Sequence, residues 1–104
     1  MRQSTVNDKA SLLKLLISHS VEIKSFGVEQ LGVFGSFAKN EVSKTSDVDL
    51  LVDFNKTKKT YDNFFELSVF LEEILKRKVE LVTYQSLSKY LGPHILKEVV
   101  NVAI

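Results

Sequence analysis

The segment Asp47-Val48-Asp49-Leu50-Leu51-Val52-Asp53-Phe54 constrains the fold more than any other part of the chain. Val48, Leu50, Val52 and Phe54 share one parity, whereas Asp47, Asp49 and Asp53 share the other. Side chains alternate across a strand with period two, so the segment reads as a β-strand whose apolar face must meet a core. Its other face opens with two carboxylates at i and i+2, about 6.6–6.8 Å apart along the strand. Like charges so placed are mutually destabilising, and a metal or cationic partner would offset them. Both can reach one hard cation, or a pair of cations about 3.5–4 Å apart. Oxygen donors without His or Cys favour Mg²⁺ or Mn²⁺ over Zn²⁺.

The rest of the chain supplies the layers this strand needs. Residues 8–24 carry an apolar stripe with helical spacing, and Gly27 in "SFG" is a plausible left-handed stop. "EQLGVF", residues 29–34, reads as a strand that ends at Gly35-Ser36. A loop is expected over 55–63, then a helix with Phe64, Leu67, Phe70, Leu71, Ile74 and Leu75 on its apolar side. "VELVT", 79–83, reads as a third strand. Gly92-Pro93 opens a last helix whose apolar face is Ile95, Leu96, Val99 and Val100. The order α-β-(short α)-β-α-β-α is that of an α/β (α+β) sandwich, with helices packed on a small mixed sheet. The first two strands pair antiparallel, and the helical crossover makes the third parallel to the second.

That topology brings Gly35-Ser36, Asp47, Asp49 and Glu80 to one edge of one sheet. A glycine ending a strand lets backbone approach a ligand closely. A short helical turn after it would point free N–H groups at an anion, with the Ser36 hydroxyl adding a hydrogen bond. Phosphate on one side and carboxylates on the other make a metal–nucleotide site. Each piece alone has a plainer reading: D-x-D as a loop entry or cap, Glu80 as a solvent-face residue. Asp53 is expected to be solvated, and His19 and His94 are ordinary helix-associated histidines.

The 104 residues, 44% hydrophobic and 26% charged, fit a single domain over 1–104. With no cysteine, disulfides and thiolate metal sites are excluded. No apolar run suits a membrane span or a signal peptide, so a cytoplasmic chain without membrane contact is expected. At a net charge of +1, direct nucleic-acid binding is not expected. The runs "KTKK" and "KRK" read as a solvated loop and a helix C-terminus.

"GSFAKNEVSKTSDVDLLVDF" resembles the G-S-x10-D-x-D pattern of the nucleotidyltransferase superfamily related to DNA polymerase beta. Nearly end to end, the chain is most similar to its minimal nucleotidyltransferase (MNT) group. The resemblance implies the nucleotidyltransferase fold. It implies that Asp47, Asp49 and a third carboxylate, matched by Glu80, hold two Mg²⁺ ions (or Mn²⁺), and that Gly35-Ser36 holds the phosphates of ATP. Many relatives have Asp where this chain has Glu80, and Ala-Arg-Gly where it has Ala38-Lys39-Asn40. The chain has no room for an acceptor domain, so the acceptor is expected to be a protein. The resemblance implies a partner: MNT proteins pair with HEPN-domain RNase toxins and, as antitoxins, add AMP from ATP to a toxin tyrosine. A hetero-oligomer with such a toxin is expected. Neutralisation by binding alone, and transfer onto a small molecule, remain open.

Overall fold

The computed structural model describes residues 6–90 and 92–104; residues 1–5 and 91 of the expected 1–104 unit lie outside the described residues. In chain order the elements are α1 (Lys9–Ser18), α2 (Ser20–Ser25), β1 (Val28–Phe34), α3 (Gly35–Ala38) and β2 (Val48–Phe54). They continue as α4 (Tyr61–Leu75), β3 (Val79–Thr83), α5 (Gly92–Glu98) and β4 (Val100–Asn101). Tight 3₁₀ turns occupy Lys56–Lys58 and Tyr84–Ser86. No helix among the described residues is long and apolar enough to cross a membrane.

The strands form one sheet in the order β3-β2-β1-β4. β2 runs antiparallel to β1 and parallel to β3, as the connections predict. Val48, Leu50, Val52 and Phe54 on β2, with Leu31 and Val33 on β1, join one buried cluster with Leu12, Leu16 and Ile23. Leu67, Leu71 and Leu75, at i, i+4 and i+8 on α4, complete that layer. Each such burial stabilises by roughly 1.5–3 kcal/mol before entropy is counted. A register shift between Val28 and Gln30 lets Val28 as well as Leu31 and Val33 reach the core. On the other face of the sheet, Gly32 lies so close to β4 and its approach that a Cβ there would overlap the Val99 side chain.

Helix starts follow local chemistry. Asp8 caps α1, its Oδ1 accepting from the Ser11 N–H at 2.8 Å while Ser11 Oγ faces the Asp8 N–H. Thr60 Oγ1 caps α4 through the Asn63 N–H at 3.1 Å.

Three expectations need correction. The stripe over 8–24 is two helices, because the chain turns at His19, where Ser18 Oγ donates to the Leu15 carbonyl at 2.7 Å and His19 Nδ1 lies 3.0 Å from it. Such side-chain bonds compete with the helical ladder. The last helix stops at Glu98, so Val99 and Val100 do not extend its apolar face: Val100 pairs with Val33 in β4. The loop expected over 55–63 is shorter, since Lys56–Lys58 form a 3₁₀ turn and α4 already begins at Tyr61.

Candidate active site

The register of the sheet brings the carboxylates together. Asp49 pairs laterally with Phe34 of β1 and with Glu80 of β3, so the end of one strand and the starts of two others meet at one edge. Asp49 and Glu80 occupy the same rung of a parallel pair and therefore share a face. Asp47 precedes β2 by one residue and lies at the same edge. The opposite parity, Val48 and Leu50, is wholly buried in the core. Leu51, on the carboxylate face, is also fully buried, so only the end of that face is polar and open.

Gly35 has a second role beyond ending a strand. Its φ of +72° is in the left-handed region, and a Cβ there would overlap the Asp49 carboxylate oxygen Oδ2. The chain thus turns into α3 directly over Asp49. Phe34, at the N-cap, is extended and gives α3 no side-chain cap. The opening N–H groups of the turn therefore lack a capping side chain. Among the described residues Ser36 Oγ makes no hydrogen bond.

The turn ends in an ordered way. The Glu41 N–H donates to the Ser36 carbonyl at 2.9 Å and the Asn40 N–H to the Phe37 carbonyl at 3.1 Å. With Asn40 at φ +57°, this is a Schellman closure. The departure Ala38-Lys39-Asn40 has a physical account at its last position: asparagine, like glycine, tolerates the left-handed conformation. Asn40 Oδ1 also accepts from the Lys9 N–H at 3.1 Å, tying the turn to α1. Lys39 Nζ lies 3.3 Å from Glu98 Oε2 on α5.

A cavity of about 330 Å³ adjoins the carboxylates. Asp49 and Glu80 line it together with Phe34, Val82, Leu87 and Ile95, whereas Gly35, Ser36 and Asp47 do not. The apolar walls were not anticipated, although strand parity alone puts Val82 on the face of Glu80. Asp53, expected to be solvated, is half-buried and accepts a long hydrogen bond from Gln85 Nε2 at 3.4 Å.

The electrostatics favour a cation. Burial first, then the charges of Glu80 and Asp47, push the Asp49 carboxyl up to about 6. Among the described residues no Lys, Arg or His side chain pairs with Asp47, Asp49 or Glu80. Nor, among those residues, do three or more His, Cys, Asp or Glu side chains converge tightly enough to enclose an ion. The donors fit Mg²⁺ all the same, because that ion keeps waters and takes one or two carboxylates alongside substrate phosphates.

Residues 17–103 match the family described as nucleotidyltransferase domain. The chain belongs to this family. It is 40% identical over 89 residues to protein adenylyltransferase MntA of Thermococcus cleftensis, covering 85% of this chain and 89% of the relative. A solved structure assigned as a minimal nucleotidyltransferase superposes with a TM-score of 0.81 at 28% identity, covering 93% of this chain and 98% of that one. A second superposes with a TM-score of 0.64 at 19% identity, covering 90% of this chain and 71% of that one; at that identity the likeness is one of fold. It is a complex of a tri-AMPylated Shewanella oneidensis HEPN toxin with an MNT antitoxin. The mixed sheet and its helices are those of the nucleotidyltransferase fold.

Proposed function

We propose that this nucleotidyltransferase is a protein adenylyltransferase and antitoxin that moves AMP from ATP to a tyrosine of a HEPN-domain toxin, with which it forms a hetero-oligomer. One observation carries the reading: Asp49 and Glu80 share a rung beside a cavity, with Gly35 turned directly over the Asp49 carboxylate. The name of the Thermococcus relative and the HEPN–MNT complex with the same fold support it.

In this reading Asp47, Asp49 and Glu80 would hold Mg²⁺, two ions or Mn²⁺ in their place. Bound there, the metal supplies charge neutralisation of the triphosphate and of the leaving pyrophosphate. The turn at Gly35-Ser36 binds phosphate oxygens through its uncapped N–H groups and the Ser36 hydroxyl. The tyrosine oxygen forms a bond to the α-phosphorus as the bond from phosphorus to the bridging oxygen breaks, and pyrophosphate departs with that electron pair. Glu80 takes the phenolic proton. Most of the acceleration comes from holding these groups in line.

The test is to incubate the protein with Mg²⁺-ATP and a HEPN-domain partner and weigh the partner. A gain of one or more AMP masses is expected, abolished by the Asp47→Asn/Asp49→Asn double substitution. An unchanged partner mass, with the protein folded and binding ATP, sinks the proposal. Neutralisation by binding alone is the second reading. It is favoured by exposed apolar side chains on α4, where Tyr61 and Phe65 stack with centroids 6.3 Å apart. In that case the double variant would still silence the toxin at ordinary dose.

A further inference from the structure

Arg77 lies in the turn between α4 and β3, just after Lys76, which adopts a left-handed φ of +57°. Its guanidinium donates to backbone oxygens from two distant parts of the chain. Nε reaches the Val6 carbonyl at 2.7 Å. The terminal nitrogen Nη1 reaches the carbonyls of Ser43 at 3.0 Å, Ser46 at 2.8 Å and, more weakly, Lys44 at 3.4 Å. Nη2 lies 3.5 Å from Asn7 Oδ1. The same group sits over the ring of Phe37, 5.3 Å from its centroid. No carboxylate neutralises it among the described residues.

These contacts gather at the edge where β2 begins. Residues 43–46 form the turn that leads into Asp47, and Phe37 belongs to the turn that follows Gly35-Ser36. The turn already closes on itself: the Ser46 N–H donates to the Ser43 carbonyl at 3.2 Å, and the Ser43 N–H to Ser46 Oγ at 2.9 Å. The guanidinium is therefore not what makes the turn. It sets how the turn lies against β3 and α3. The Ser46 carbonyl matters most, because its planar peptide unit is the one joined to Asp47. Directing that oxygen directs the backbone from which the Asp47 side chain departs.

We propose that Arg77 is a positioning residue for the adenylyl-transfer site: one guanidinium, bonded to the 43–46 turn and packed on Phe37, sets the spacing between the aspartate pair and the Gly35-Ser36 turn. The proposal rests on the metal–nucleotide reading of those residues. A planar fork serves Val6 and Ser46 from two nitrogens held at fixed separation, a geometry that the single ammonium nitrogen of lysine lacks. Arg77→Lys keeps the charge and should therefore behave as a loss.

The readout is Mn²⁺ affinity in the presence of the ATP analogue AMP-PNP, followed by electron paramagnetic resonance, with folding checked by circular dichroism. Arg77→Lys and Arg77→Met are expected to stay folded and to bind Mn²⁺ about 10–100-fold more weakly, the range for groups that orient metal ligands. Leu67→Ala, on the core face of α4 and outside the lining of the cavity, should lose thermal stability while keeping its Mn²⁺ affinity within about twofold. Folded Arg77 variants with wild-type affinity would overturn the proposal and leave the metal–nucleotide reading standing. Failure of both variants to fold would overturn it too, by making Arg77 a structural tie. If the wild-type protein itself binds no Mn²⁺ with AMP-PNP, the metal–nucleotide reading falls and this one falls with it.

Discussion

The two faces of β2 are built from the same seven residues and obey opposite rules. On one, Val48, Leu50 and Val52 are wholly excluded from water and packed against α1, α2 and α4. On the other, Asp49 sits half-buried between Phe34 and Glu80 with its carboxyl raised to about 6. The first face stabilises the fold by removing apolar area from water. The second works against stability, because it gathers like charges and withdraws one of them from solvent. A strand that carried only the first face would be more stable and would have no site.

Three substitutions test that contrast, and two at left-handed positions outside β2 give smaller effects. Leu50→Ala opens a cavity in the core and should destabilise by about 3 kcal/mol in urea unfolding. Gly35→Ala combines a left-handed φ of +72° with an overlap on Asp49 Oδ2, so it should cost about 2 kcal/mol and displace that carboxylate. Adenylyl transfer should fall by roughly 10²-fold or more, the scale of a misplaced catalytic group. A Gly35→Ala protein with full activity would show that the close approach is unnecessary.

Asp49→Asn should act in the opposite direction on stability. Asp49 binds its proton more tightly in the folded chain, at about 6, than at the ordinary 3.8. Between those values the folded state holds more protons, so stability falls as pH rises. The penalty is complete above pH 6 and absent below pH 4. After allowance for solvent screening, Asp49→Asn should stabilise the metal-free protein by about 1 kcal/mol at pH 8 and by nothing near pH 3. Urea melts at the two pH values measure it, and equal gains at both would refute the electrostatic account. Smaller is Lys76→Gly, which relieves a left-handed φ of +57° and should stabilise by about 0.5 kcal/mol. Asn40→Gly should gain nothing, since it forfeits the Asn40 Oδ1 bond to the Lys9 N–H.

Period-two alternation over 48–54 and helical spacing over 64–75 already dictated one core-facing strand and the helix that covers it. Those patterns are local, and burial follows directly from them. The G-S-x10-D-x-D spacing, with Glu80 two residues into a parallel strand, likewise specified which residues would meet at one edge, because strand register is an integer count. Four features were settled by particular contacts that periodicity does not encode, three of them between distant segments. β4 has two residues, too few for any pattern, and exists because Val100 and Asn101 find partners on β1. The break at His19 depends on side chains bonding the Leu15 carbonyl rather than on apolar spacing. Arg77 reads as one more basic residue at a helix end until the fold brings Val6 and Ser46 to its guanidinium, 71 and 31 residues away in the chain. Gly35 reads as a turn, and only the packed sheet reveals that the Asp49 carboxylate occupies the space its side chain would need. Periodicity encodes which face is buried. What stands against that face, atom by atom, is decided by which segments the closed fold brings into contact.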